Sequence, residues 1–84
     1  MYYVYLLRSK DQYDNFYIGF SADLKRRVAE HNSGSNKSTS GRQWELVYYE
    51  SYLVKKAAVD RERILKHDGR VRRFLMDRIK KHLE

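Results

Sequence analysis

Two runs near the start of the chain, Tyr2-Tyr3-Val4-Tyr5-Leu6-Leu7 and Phe16-Tyr17-Ile18-Gly19-Phe20, decide the fold. Both are rich in aromatic and β-branched side chains, which suit a pleated, half-buried surface, and the polar cluster Ser9 to Asn15 separates them. They read as the two arms of a β-hairpin. In the second run Phe16, Ile18 and Phe20 alternate with Tyr17 and Gly19, so an extended backbone sends Tyr17 to the face away from that apolar set.

Downstream, Ser21 as N-cap, Asp23 in the first turn and Gly34 as stop signal predict a helix from Ala22 to Ser33. Its inner stripe is mixed: Leu24, Val28 and His31 fall at i, i+4 and i+7, with Arg27 at i+3, and polar groups on such a face need partners. The segment Asn32 to Gln43 has no period and reads as a loop whose Lys37, Ser38, Thr39 and Arg42 can reach a phosphate. Trp44 to Leu53 reads as a third strand. Lys55 to Lys66 is a helix with Ala58 and Leu65 inward and Glu62 beside them, and Gly69 is its predicted stop. From Arg70 a last helix carries the stripe Val71, Phe74, Leu75 and Ile79, with Arg70, Arg73, Lys80 and Lys81 elsewhere. The expected architecture is α+β: a three-stranded antiparallel or mixed sheet flanked by helices in the order β-β-α-β-α-α, one domain over residues 1–84 with no internal repeat.

Composition narrows the function classes. A chain of 84 residues buries only about 60–65% of the surface its unfolded form exposes, so it holds one core and a shallow site. With no cysteine it has neither disulfides nor a thiolate zinc site, and a cytoplasmic location is the default. The first apolar stretch stops at Arg8, too short for a membrane span or a secretion signal. The net charge of +7 favours polyanionic partners, nucleic acid first. Residues 1–52 carry seven bases against six acids and residues 53–84 eleven against five, so the excess sits in the last third. That basic last helix could lie on an anionic membrane, but covering the sheet of a small domain already uses its apolar stripe.

Chemistry-bearing side chains fall into three groups: Tyr5 and Tyr17 on adjacent strands, Arg27 and His31 one helical turn apart, and Glu62. Each has a bland reading, as a packed tyrosine, a solvated helix arginine, a satisfied core histidine or an i, i+4 partner of Lys66. His31, His67 and His82 are too far apart for zinc-ligand spacing.

Taken together, Tyr3-Val4-Tyr5, Tyr17-Ile18-Gly19, Arg27 and the later Glu62 resemble the GIY-YIG nuclease family, most closely its small stand-alone bacterial members. The likeness extends to Gly19 through Asn32, Glu45 through Glu50 and Ala57 through Lys66. It implies a metal-dependent endonuclease that hydrolyses a DNA phosphodiester, one strand per site, with Tyr5, Tyr17, Arg27, His31 and Glu62 catalytic. Glu62 would be the single carboxylate ligand of one Mg²⁺ or Mn²⁺ ion, Arg27 the electrostatic clamp, Tyr5 the base with His31 as its proton relay, and Tyr17 the group that positions water or phosphate. A phenolate at Tyr5 would be favoured by the ion and Arg27. Lys37, Thr39, Arg42, Arg70 and Arg73 are the expected phosphate contacts along the nucleic acid, forming a rim near the site. The chain departs from the family pattern at Tyr3, where the family name has glycine, and it has no asparagine after Asn36, where larger members brace the site with one. The competing reading is a binding module that keeps the fold and basic surface to hold DNA or RNA without cutting. Monomer and weak dimer are both compatible with the sequence.

Overall fold

The computed structural model describes residues 1–34 and 41–83. Strand β1 (Tyr2–Ser9) forms the middle of a sheet of order β2-β1-β3, between β2 (Phe16–Ser21) and β3 (Trp44–Tyr52). Both pairings are antiparallel, which settles the antiparallel or mixed alternative. The hairpin closes because the buried Ser9 hydroxyl accepts the amides of Asp11 and Gln12 while its own amide donates to Asn15. Helices α1 (Leu24–Asn32), α2 (Lys55–His67) and α3 (Gly69–Leu83) complete the order β-β-α-β-α-α.

Period-two alternation divides the core. Val4, Leu6 and Ile18 face α2 and α3, where they meet Ala58, Leu65, Leu75 and Ile79. Tyr5 and Leu7 face the other way with Trp44 and Tyr17, and α1 covers them with Leu24 and Val28. The sheet is therefore sandwiched between one helix and two, with Tyr17 on the α1 face as the alternation of its strand requires. A register irregularity between β1 and β3 at Leu6/Leu7 lets Leu46 stand opposite Leu7.

Several boundaries differ from expectation. Helix α1 starts at Leu24, not Ala22, because Ser21 remains in β2 and Asp23 is the N-cap. The Ser21 hydroxyl accepts the Asp23 amide and donates to the Asp23 carbonyl, while the Asp23 carboxylate accepts the Arg26 amide. Gly34 does end α1, in the left-handed region at φ 82°. Gly69, by contrast, opens α3 rather than stopping α2. The break belongs to Asp68, whose extended backbone ends α2 and whose carboxylate accepts the amides of Arg70 and Val71. Arg72 then donates to the Leu65 and Lys66 carbonyls, satisfying the frayed end of α2. Phe74 leaves the expected stripe and is 76% exposed, since Met76 and Leu83 extend the packed face of α3 on the side away from it. No helix among the described residues is long and apolar enough to cross a membrane.

Two side-chain clamps hold the layers in place. The Asn32 side chain accepts the Trp44 amide at 2.7 Å and donates to the Trp44 carbonyl at 3.0 Å, tying the end of α1 to the start of β3. On the opposite face the Glu50 carboxylate accepts Nε and a terminal nitrogen of Arg61 at 2.9 and 3.1 Å, together with the hydroxyls of Tyr48 and Tyr52 at 2.6 and 2.5 Å. Burial alone would raise the Glu50 carboxyl, but the hydrogen bonds from Arg61, Tyr48 and Tyr52 outweigh it and hold it below its usual 4.5. Replacing Glu50 by Gln leaves Arg61 partly buried beside a neutral amide and is expected to cost about 2 kcal/mol. Because the folded carboxyl titrates below 4.5, this contribution is full above that pH and is lost as pH falls through the folded value. Urea denaturation of Glu50→Gln across pH 3 to 7 checks both statements: a loss under about 0.5 kcal/mol, or an acid limb as steep as in the unsubstituted protein, would show that the network does not anchor α2.

Candidate active site

The site is built outward from a missing side chain. Tyr5 and Gly19 are direct partners across β1 and β2, and the Tyr5 ring lies over the glycine, so that a Cβ there would overlap both the ring and its hydroxyl. Lying flat, the buried Tyr5 directs its hydroxyl to His31 Nε2 at 2.7 Å. His31 is wholly buried on the inner stripe of α1 beside Leu24 and Val28. The Tyr17 ring packs against the imidazole at 4.8 Å between centroids, with Tyr5 at 6.5 Å and Trp44 edge-on at 6.4 Å. Tyr3, in the position where the family name has glycine, meets Tyr49 edge-to-face at 5.9 Å on the same face.

Charged groups surround this aromatic centre. Arg27, one turn before His31, has a side chain 38% exposed and a guanidinium nitrogen 3.7 Å from Glu30. Glu62 is on α2, whose Ala58 and Leu65 belong to the opposite layer, yet the carboxylate is close enough to act on the Tyr5 phenol. Its Oε2 lies 3.4 Å from Lys66 Nζ, and the same Nζ stands 5.6 Å from the Tyr17 ring centroid. Tyr5, Tyr17 and His31 are thus in direct contact, with Arg27 and Glu62 coupled to them through their fields.

These fields fix protonation states. Burial raises the Tyr5 phenol well above its usual value of 10, the neighbouring Tyr17 adds to this, and the opposing pull of Arg27 is smaller. Arg27 by itself therefore leaves Tyr5 protonated; the bias toward phenolate is expected of the ion and Arg27 together. Burial also lowers His31 below 6.5, helped by Arg27 and opposed by Glu30. The pair at neutral pH is a phenol against a neutral imidazole, the arrangement in which a proton can pass from Tyr5 to His31.

The expected phosphate contacts are dispersed. Lys37 and Thr39 lie outside the described residues. Arg42 donates to Gln12 Oε1 at 2.8 Å, near the hairpin turn. Arg70 lines a cleft with Tyr48, Arg61 and Phe74 on the layer opposite α1, and Arg73 is exposed on the same helix. Two neighbours of the site were not singled out from sequence. Gly19 is part of the motif, but its role as the floor beneath Tyr5 appears only once the strands are in register. Lys66 is the i, i+4 partner of Glu62 by spacing alone, whereas its approach to Tyr17 depends on how α2 is seated.

Among the described residues no three His, Cys, Asp or Glu side chains cluster as a metal cage. One carboxylate within the field of the Tyr5 phenol is still a fitting donor for a hard divalent ion that keeps several waters and completes its shell with substrate phosphate. The present residues fit such an ion at Glu62.

Comparison with known proteins accords with this geometry. A family model described as the GIY-YIG catalytic domain matches residues 1–74. A UPF0213 protein of Haloquadratum walsbyi is 39% identical over 66 residues, covering 76% of this chain and 72% of that protein. One from Lactiplantibacillus plantarum is 37% identical over 73 residues, covering 82% and 70%. The solution NMR structure of a UPF0213 protein from Bacillus halodurans superposes with a TM-score of 0.57 at 34% identity, over 95% of this chain and 86% of that one. With a match that spans the hairpin, α1, β3, α2 and the start of α3, the chain belongs to the GIY-YIG family.

Proposed function

We propose that this protein is a divalent-metal-dependent endonuclease that hydrolyses one DNA phosphodiester per site. The observation that carries the reading is the 2.7 Å hydrogen bond between the buried Tyr5 phenol and His31 Nε2, beside Arg27 and within the field of Glu62. With the imidazole neutral and its Nε2 unprotonated, the phenol donates. An attacking water then gives its proton to the Tyr5 oxygen as the Tyr5 proton passes to His31, which becomes imidazolium. The new bond joins the water oxygen to phosphorus, and the bond to the leaving oxygen breaks in line, that oxygen taking a proton from solvent. Arg27 donates to the non-bridging oxygens, where negative charge accumulates. Tyr17, packed at a tilt against the imidazole, orients the water or phosphate. The chemistry an Mg²⁺ or Mn²⁺ ion supplies when held by Glu62 is polarisation of the phosphate and stabilisation of the leaving oxygen.

The net charge of +7 supports a nucleic-acid substrate, and DNA is the form we assign. The same fold and charge would serve a module that binds without cutting, so the decisive comparison separates turnover from binding. In the nuclease reading Glu62→Ala loses turnover and keeps DNA affinity, and Tyr5→Phe lowers turnover by roughly a hundredfold or more. Both variants are assayed with Mg²⁺ or Mn²⁺ on duplex, flap, branched and single-stranded substrates. Turnover that is absent from the unsubstituted protein, or equal in Glu62→Ala, would leave the binding module as the answer.

The pH profile follows from His31. The relay needs a neutral imidazole, and that imidazole titrates below 6.5, so cleavage should be level at neutral pH and fall on acidification with a midpoint below 6.5. The linked stability has the same sign: it is full above 6.5, where unfolded histidine is also neutral, and is lost as pH falls toward the folded value. A rate that climbs steadily from pH 7 to 10 would point instead to a phenolate base.

One carboxylate, one arginine and one Tyr–His pair make one cut. On supercoiled DNA a monomer should yield nicked circles first and linear product later, whereas a symmetric dimer would cut both strands nearly together. A time course read beside light scattering checks this, and simultaneous double-strand cuts by a strictly monomeric species would refute the one-site assignment.

A further inference from the structure

The face opposite the Tyr5–His31 pair carries a second built feature. A cleft of about 440 Å³ opens between β3, α2 and α3, lined by Tyr48, Arg61, Arg70, Phe74 and Arg78 with Val71 and Leu75 at its floor. Arg70, Phe74 and Arg78 fall at i, i+4 and i+8 of α3, one stripe on its outer side. All three are exposed, and the Phe74 ring is 76% accessible on a helix whose Leu75 and Ile79 are buried.

The arginines differ in what they have left to give. Arg61 is committed to Glu50 through two hydrogen bonds, so it neutralises that carboxylate and adds no net charge. Arg70 and Arg78 make no side-chain ion pair among the described residues and stand about 12 Å apart along the helix. Two guanidiniums outside any ion pair among the described residues, flanking an exposed aromatic ring over a concave floor, match an alternation of phosphates and flat, apolar faces. Duplex DNA offers the phosphates but keeps its base faces stacked. A protein partner with acidic side chains would satisfy the arginines but has no general need of the ring between them.

We infer that this cleft binds an unpaired nucleic-acid strand, with Arg70 and Arg78 on two phosphates of that strand and a base between them stacked on Phe74. The inference extends the proposed function from a single face to both. A molecule only 21 Å across its shortest extent, holding a strand on either face, is suited to a junction where a single-stranded arm leaves the cleaved duplex.

The test reads binding, not cutting. Fluorescein-labelled oligothymidylate and a blunt duplex of equal length are titrated with the full chain in chelator, and anisotropy is followed over a series of salt concentrations. The single strand should bind more tightly than the duplex. Phe74→Ala should weaken single-strand binding by roughly tenfold, in line with the worth of one base–aromatic stack. Arg70→Ala/Arg78→Ala should weaken it further and reduce the slope of log K against log salt by about 1.4, two phosphates fewer. Because the three side chains are exposed, thermal melts of the variants should match the unsubstituted protein, and a Phe74→Trp variant should restore binding with quenched indole fluorescence. Unchanged single-strand affinity in both loss variants would overturn the inference. So would affinity for phosphatidylserine vesicles in place of oligonucleotide, the signature of a membrane-facing helix. Metal-dependent cleavage is measured in parallel with the Glu62→Ala variant, so that loss of the cleft and loss of the catalytic reading register in different assays.

Discussion

The close approach of the Tyr5 ring to the backbone at Gly19 is the constraint from which the site follows. β1 is the central strand, and each of its side chains has a fixed face, so Tyr5 has nowhere else to lie. Only a residue without Cβ opposite it allows the ring to flatten and the hydroxyl to reach α1. His31 completes the arrangement from the helix side: a buried imidazole with a phenol partner is a satisfied polar group rather than an expensive one. A change at position 19 would therefore act on the distance between two other residues, not on a contact of its own.

Seating of α2 is the second determinant, and it is made on the far face. Arg61 and Glu62 are consecutive, so about 100° of helical rotation separates them, and fixing one direction fixes the other. Glu50 holds Arg61 against β3, and Ala58 and Leu65 press the helix onto the sheet. Glu62 and Lys66 then have a defined exit toward Tyr5 and Tyr17. Stability and site geometry share this helix, which is why the polar network over Tyr48 and Tyr52 belongs to the description of the site although none of its members touches it.

Much of this was legible before any coordinates. The alternation of Phe16, Ile18 and Phe20 with Tyr17 placed that tyrosine correctly, because a two-residue period leaves an extended strand no choice. The mixed stripe Leu24, Arg27, Val28, His31 announced a polar group in need of a buried partner, and Tyr5 is that partner. What the pattern did not disclose depends on pairs far apart in the chain. The Glu50–Arg61 clamp joins a strand to a helix eleven residues on, and neither residue is unusual in its own neighbourhood. Ser21 and Asp23 are both competent caps, and the extent of β2 chose between them. Gly69 resembled a stop signal, but the Asp68 carboxylate, serving the amides of α3, made the break without a left-handed residue. Phe74 belonged to an apolar stripe by spacing and was displaced from it by a neighbour of equal merit, Met76.

Asn32 bears on how such a protein can change over time. By holding both the amide and the carbonyl of Trp44, while Gln43 Nε2 donates back to the Asn32 carbonyl, it closes the connection between α1 and β3 independently of what lies between. Trp44 in turn braces Tyr17. Closure entropy rises only slowly with the number of residues enclosed, by about 0.6 kcal/mol for each doubling. Lengthening this connection therefore leaves the Tyr5–His31 pair nearly undisturbed, and the fold carries a graft point beside it at which new segments can be acquired at little energetic cost.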